Sequence, residues 1–252
     1  MSEPAFALGG EIVWRPTPDL IAQSRLKQFM DQYGLATFAE LLHYSTTDLE
    51  WFWTAVLKFL DIQFYQPYSN IVDLSQGSEW PVWCVGGVMN IVHNCLDKRI
   101  GTPDEHKLAL IYESEDGRTR TYTYGQLYRE VNKCASALRG LGLQKGDAIG
   151  LFMPMMPEIV IALLAIVKIG GIVLPLFSGY GAAAIATRLN DAEAKALFTA
   201  NGFHRRGQKV EMKSIADEAA RQVPTLQHMI VADGMNNGTA LQEGRDHGWR
   251  AL

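Results

Sequence analysis

The sequence lacks any excess of positive charge: 23 lysines and arginines stand against 27 aspartates and glutamates, a formal net charge of −4 over 252 residues. Broad-face binding of nucleic acid needs a basic surface, so no nucleic-acid partner is expected. Cysteine is scarce, with Cys84, Cys95 and Cys134 alone. An odd number without paired spacing excludes a disulfide framework and fits a reducing compartment. The triplet His93-Asn94-Cys95 has no second ligand cluster to complete a tetrahedral metal site, so Cys95 reads as a small core thiol. Residues 1–11 lack the basic segment and apolar run of a signal peptide. A long uninterrupted apolar span is also missing. Ile159 to Leu176 comes nearest, but Lys168 and Gly170-Gly171 break it and Pro175 ends it. A buried helix followed by a buried strand is expected there, in a soluble cytoplasmic protein with no membrane span. Neither a G-x-G-x-x-G dinucleotide fingerprint nor a glycine-rich loop with Ser/Thr and Lys for a triphosphate occurs. Gly86-Gly87 has no hydroxyl or lysine in place, and Gly179-Tyr180-Gly181 has only Ser178 beside it.

What is present is an ordinary globular composition, 48% hydrophobic and 20% charged. Trp14, Trp51, Trp53, Trp80 and Trp83 crowd the first hundred residues. They are expected to anchor an N-terminal extension rather than to stack a ligand. Leu26, Phe29, Met30 and Tyr33 have helical spacing. Thr47-Asp48-Leu49-Glu50 reads as a capping box opening a helix through Leu60. Residues 66–88 read as irregular chain, and Ile91 to Leu96 as the start of another helix.

From Leu108 the pattern alternates. Leu108–Tyr112 and Arg118–Thr123 form a hairpin about Asp116-Gly117. Thr123-Tyr124-Gly125-Gln126 is a second capping box, opening a helix that buries Leu127, Val131, Cys134, Ala135 and Leu138. Strands at 148–153, 172–176, 196–199 and 228–231 alternate with helices from Pro157 to Ile169, at 182–189 and at 213–222. The fold class is α/β: a mainly helical N-terminal extension over 1–106, then a doubly wound, mostly parallel sheet over 107–235. Residues 236–252 have no packed pattern and are expected to fray.

Six segments carry a resemblance. They are Trp51-Phe52-Trp53; Trp83 to Cys95 (WCVGGVMNIVHNC); Thr121 to Leu141; Lys145-Gly146-Asp147 with Phe152-Met153-Pro154-Met155-Met156-Pro157-Glu158; Lys168 to Gly171 running on to Phe177-Ser178-Gly179-Tyr180; and Thr199 to Lys213. In this order and spacing the chain resembles the N-terminal portion of AMP-forming acyl-CoA synthetases of the acetyl-CoA and acetoacetyl-CoA type. Trp14-Arg15-Pro16 and the helix after it are similar to the acetoacetyl-CoA branch.

The resemblance implies an enzyme that activates a carboxylic acid with ATP and Mg²⁺ to an acyl-adenylate and passes the acyl group to coenzyme A. The family's phosphate loop, adenylate motif and C-terminal lysine would fall beyond Leu252. The chain is therefore expected to hold no catalytic residue or metal ligand and to be inactive alone. A non-catalytic coenzyme A-binding or interaction module built on the same fold is the alternative. The resemblance also places part of the coenzyme A site here. Arg205, Arg206, Gly207 and Gln208 align with a loop that contacts the nucleotide end, with Lys209 supplying a charge that Gln208 lacks. Phe177, Ser178 and Gly179 align with residues beside the adenine. Arginine forks suit the phosphates of coenzyme A, and a glycine allows close backbone approach. A solvated basic turn is the bland reading of residues 205–209. Met153, Met155 and Met156 read as packing elements, and His43, His93 and His204 lack the partners of a nucleophilic triad.

Overall fold

Thr17, Ser24, Thr37 and Asp48 each place a side-chain oxygen on the open amides of a helix. These caps define helices α1 (Pro18–Gln23), α2 (Arg25–Gln32), α3 (Phe38–Thr47) and α4 (Leu49–Phe59) in the computed structural model, which describes residues 13–235 and 237–252. Ser24 closes α1 and opens α2. The capping-box expectation at Thr47 is corrected by one residue. Thr47 ends α3, where its hydroxyl donates to the His43 carbonyl at 2.8 Å, and Asp48 is the cap of α4. Asp48 wins because its carboxylate accepts the Trp51 amide at 3.0 Å while Thr47 is already helical.

Phe29, Met30, Leu35, Leu41 and Ala55 form the buried cluster of this part, ringed by Tyr33, Trp51, Phe52, Val56 and Phe59. Phe29 meets Phe59 edge to face at 5.3 Å, and the Tyr33 hydroxyl donates to the Ala55 carbonyl at 3.1 Å. Strands β1 (Val72–Asp73) and β2 (Val82–Trp83) pair antiparallel within the otherwise irregular stretch before Val88. The chain divides into two compact units after Val88.

The second unit begins with helix α5 (Ile91–Cys95), on which Cys95 is exposed, correcting its expected place in a core. A hairpin of β3 (Leu108–Glu113) and β4 (Thr119–Thr123) follows. Helix α6 (Tyr124–Gly140) opens on the expected capping box, Thr123 with Gln126. Then come β5 (Ala148–Phe152), α7 (Pro157–Lys168), β6 (Ile172–Pro175), α8 (Ala182–Asp191) and β7 (Ala196–Ala200). The hairpin β8 (Gly202–Arg205) and β9 (Gln208–Glu211), α9 (Lys213–Ala220), β10 (His228–Ala232) and β11 (Asp246–Gly248) complete the unit. Among the described residues no helix is long and apolar enough to cross a membrane.

The main sheet runs β11-β10-β7-β5-β6, with every pairing parallel. Side chains alternate between its faces, and both faces are covered. Ile149, Leu151, Phe198 and Ile230 therefore enter one core, with Val131 and Leu138 of α6 and Ile161 and Ile166 of α7. Phe152, Leu197, Met229 and Val231 enter the other, with Ile185 and Leu189 of α8 and Ala216 of α9. Gly150 sits where the sheet meets the second core most closely: a Cβ there would lie 2.7 Å from Leu197 Cδ1 and 2.9 Å from Leu189 Cδ2. Pro157 starts α7 as expected. The Asn90 amide donates to the Val167 carbonyl at 2.9 Å at that helix's other end.

The C-terminal segment corrects the expectation of fraying. Residues 246–248 add β11 to the sheet beside β10, and Trp249 packs on Phe198 at 5.9 Å. The Asp246 side chain, shielded from solvent, accepts from Lys213 at 2.8 Å and Arg245 at 2.7 Å. A polar, glycine-containing run is thus tied to the sheet by a buried ion-pair cluster together with the Trp249 contact.

Candidate functional site

Counted in chain order, the five parallel strands lie 2-1-3-4-5 across the sheet. The order reverses between β5 and β7, and open parallel sheets hold ligands beyond the carboxyl ends of their strands at such a reversal. A cavity of about 660 Å³ lies there. Pro154, Met155 and Met156 line it just after β5, Phe177 and Ser178 just after β6, and Asp233 and Gly234 just after β10. Both hairpins contribute: residues 112–116 and 118–120 from the first, and Phe203, His204 and Arg205 from the second.

Three of the residues expected to hold coenzyme A meet in this cavity: Phe177, Ser178 and Arg205. The Phe177 ring is 63% exposed and stands edge-on to Tyr180 at 5.7 Å. Gly179 lies outside the lining, but a Cβ at 179 would come within 2.6 Å of Phe177 Cε1, so the glycine permits this ring position. Arg206, Gly207 and Gln208 also lie outside the lining. Arg206 and Gly207 form the two-residue turn of the second hairpin, with φ of 53° and 73°. A turn with two positive φ values follows the twist of the flanking strands, and glycine adopts it without steric cost. The amides of both turn residues donate to the Glu115 carboxylate of the first hairpin, Gly207 at 3.3 Å.

Sequence reasoning missed the opposite wall. Arg120 binds Glu158 through two parallel hydrogen bonds, 2.7 and 2.6 Å, and stacks over Tyr112 at 5.6 Å. Its hydrogen bonds to Glu158 push the Arg120 pKa upward against the opposing effect of burial. Glu158 had been legible as a helix-start acid; its partner was not, because Arg120 lies 38 positions away on another element. Met155 was expected to pack, yet it is 80% exposed on the cavity wall, while Met153 and Met156 are buried as expected. The Lys145-Gly146-Asp147 motif is a structural turn. Burial would raise the Asp147 pKa, but its bonds from Lys195 and the Gln144 amide hold it below the ordinary value. Among the described residues no cluster of three or more His, Cys, Asp or Glu side chains could hold a metal ion.

Residues 97–250 match the family described as "AMP-binding enzyme", well over half of the chain. The chain belongs to that family. Residues 38–95 match the acetyl-coenzyme A synthetase N-terminus. An acetyl-coenzyme A synthetase of Methanothrix soehngenii is 34% identical over 95% of this chain and 36% of its own length. A 3-hydroxypropionyl-coenzyme A synthetase of Metallosphaera sedula is 36% identical over 85% of this chain and 32% of its own. Among solved structures, an acetoacetyl-CoA synthetase from Streptomyces lividans superimposes with a TM-score of 0.85 at 28% identity, over 95% of this chain and 37% of that one. The chain thus spans about a third of the length of the curated relatives it matches. That structural likeness agrees with the helical start and parallel sheet described above.

Proposed function

We propose that this chain is the N-terminal part of an acyl-CoA synthetase, with residues from 107 onward forming the first α/β section of its AMP-binding domain. The whole enzyme would join a carboxylic acid to AMP at the expense of ATP, with Mg²⁺ as counter-ion, and then transfer the acyl group to the coenzyme A thiol. A carboxylate is a poor acyl donor, and the adenylate supplies the leaving group. The cavity at the strand ends would hold the nucleotide end of coenzyme A.

One observation carries this reading: Phe177 and Ser178 from one segment and Arg205 from another line a single cavity at the point where the strand order reverses. An exposed ring offers a face for adenine, and the guanidinium offers charge-assisted hydrogen bonds to phosphate. Nothing in this chain is assigned to ATP, to Mg²⁺ or to the acyl group. The isolated chain should therefore release no AMP when mixed with acetate, ATP and coenzyme A.

Thermal unfolding tests the binding half. Ligand bound to the folded state alone adds about 2.7 kcal/mol at a hundredfold excess over Kd. Saturating coenzyme A should raise the melting temperature, and Arg205→Ala should remove the rise. An unchanged melting temperature for the native sequence would sink the coenzyme A reading for this chain.

A further inference from the structure

The tip of the second hairpin is already holding an anion, and that anion belongs to the protein. The Arg206 and Gly207 amides, both in the left-handed region, donate to Oε1 and Oε2 of Glu115. Successive backbone amides turned towards one point form an anion-binding concavity, and a carboxylate and a phosphate compete for the same donors. Glu115 comes from the loop of the first hairpin, and its neighbours hold that loop in place. Asp116 accepts from the Arg118 guanidinium at 2.7 Å, and Ser114 donates to the Arg118 carbonyl at 3.1 Å. The contact joins two hairpins that both line the cavity, and the flanking Arg205 faces that cavity.

We propose that Glu115 is an internal competitor for a phosphate site at the Arg206-Gly207 turn, so that a phosphorylated ligand must displace its carboxylate to reach those amides. The ligand class is a phosphate ester or diphosphate. Its assignment to coenzyme A rests on the function proposed above, whereas the competition itself does not. Displacement also breaks the Glu115 hydrogen bonds that join the first hairpin to the second.

Apparent affinity falls by the fraction of molecules whose site is free, so a variant that removes the competing charge binds more tightly. Glu115→Gln keeps the size and hydrogen-bonding ability of the side chain but loses its charge. The measurement is amide NMR of the 252-residue chain, following Arg206 and Gly207 as inorganic pyrophosphate and, separately, coenzyme A are added. Pyrophosphate should move both resonances at a concentration about fivefold lower in Glu115→Gln than in the native sequence. Equal response in the two proteins overturns the proposal, and so does the absence of response in both. If pyrophosphate shows the difference and coenzyme A moves neither protein, the competition stands and the coenzyme A reading falls. If Glu115→Ala gains as much as Glu115→Gln, the charge is confirmed as the cause rather than a new amide contact.

Discussion

In the sheet unit, β5 and β7 are buried at every position; in the helical unit before Val88, α1 buries nothing and α4 buries only Ala55. The difference follows from geometry. A central strand of a parallel sheet feeds alternate side chains into two covered faces, so each residue finds a core. A helix buries one stripe, and here that stripe is met largely by aromatic rings in edge contact, as Phe29 with Phe59 and Tyr33 with Trp51. Rings fill such a junction with few residues, and many large apolar side chains stay outside it, including Trp14, Phe38, Leu42 and Leu60. The sheet unit therefore holds the cooperative core, and the helical unit has the lower density of buried apolar contacts that marks local opening.

Two truncations test that contrast most severely. Phe198 lies at the centre of β7 and is fully buried against Trp249. Phe198→Ala should destabilise the sheet unit by about 3–5 kcal/mol through lost transfer energy and a residual cavity. Phe29→Ala empties the aromatic cluster, and its effect should remain in α2 to α4. Hydrogen exchange separates the two: the first variant should lose protection in β5, β7 and β10, the second only before Val88. Equal loss in β5 and β7 from Phe29→Ala would break the contrast.

A smaller effect is expected at the edge of the sheet. The Asp246 side chain is shielded from solvent, while the side chains of Lys213 and Arg245 beside it are 11% and 15% exposed. Asp246→Asn should cost about 3 kcal/mol, the lower end for breaking a buried pair, since Asp217 still pairs with both cations. Denaturant titration gives the magnitude, and Trp249 fluorescence should report release of β11. Burial alone would raise the Asp246 pKa, but hydrogen bonds from Arg245 and Lys213 hold it below the ordinary value. Its stabilisation is thus present above the usual carboxylate range and lost as pH falls through the depressed folded value. The asparagine variant should lack that acid loss; an identical acid profile would place the stabilisation elsewhere.

The same contrast explains what could be read from the residues in order. Helices with a local start signal, such as Thr123 with Gln126 or Pro157, and strands with continuous apolar runs declare themselves, because their causes lie within a few positions. The C-terminal strand did not, because the partners that hold it, Lys213 and Phe198 among them, lie more than thirty positions away. The hairpin at 202–211 was also not legible as paired strands: its positions are mostly polar and exposed, and Gly207 signals a turn only once Gln208 is known to face Arg205. Within the candidate site, the residues carried by a resemblance, Phe177, Ser178 and Arg205, could be named in advance. Glu115, Arg120 and Glu158 could not be joined to them, because each acts through a partner on a distant element.

The smallest expected effect sharpens the comparison through pH. His228 begins β10 and His247 lies beside it on β11, with Nδ1 and Nε2 of the two rings 3.1 Å apart. At that separation one nitrogen must be neutral to accept the other's proton. Burial, and then the neighbouring His247, depress the His228 pKa, against a smaller opposing contribution from the Leu141 backbone. Because the folded state resists protonation, the unfolded chain binds the extra proton first. Stability is full above the ordinary histidine value, about 6.5, and falls as pH drops through the depressed folded value. Melting at pH 7.5 and 5.5 should show the native sequence losing more than His228→Gln. His228, His247 and Leu141 all belong to the sheet unit, so hydrogen exchange in α2 to α4 should not follow this change. A pH response of equal size in the variant would assign the loss to other groups, and one shared by α2 to α4 would show that the two units do not open independently.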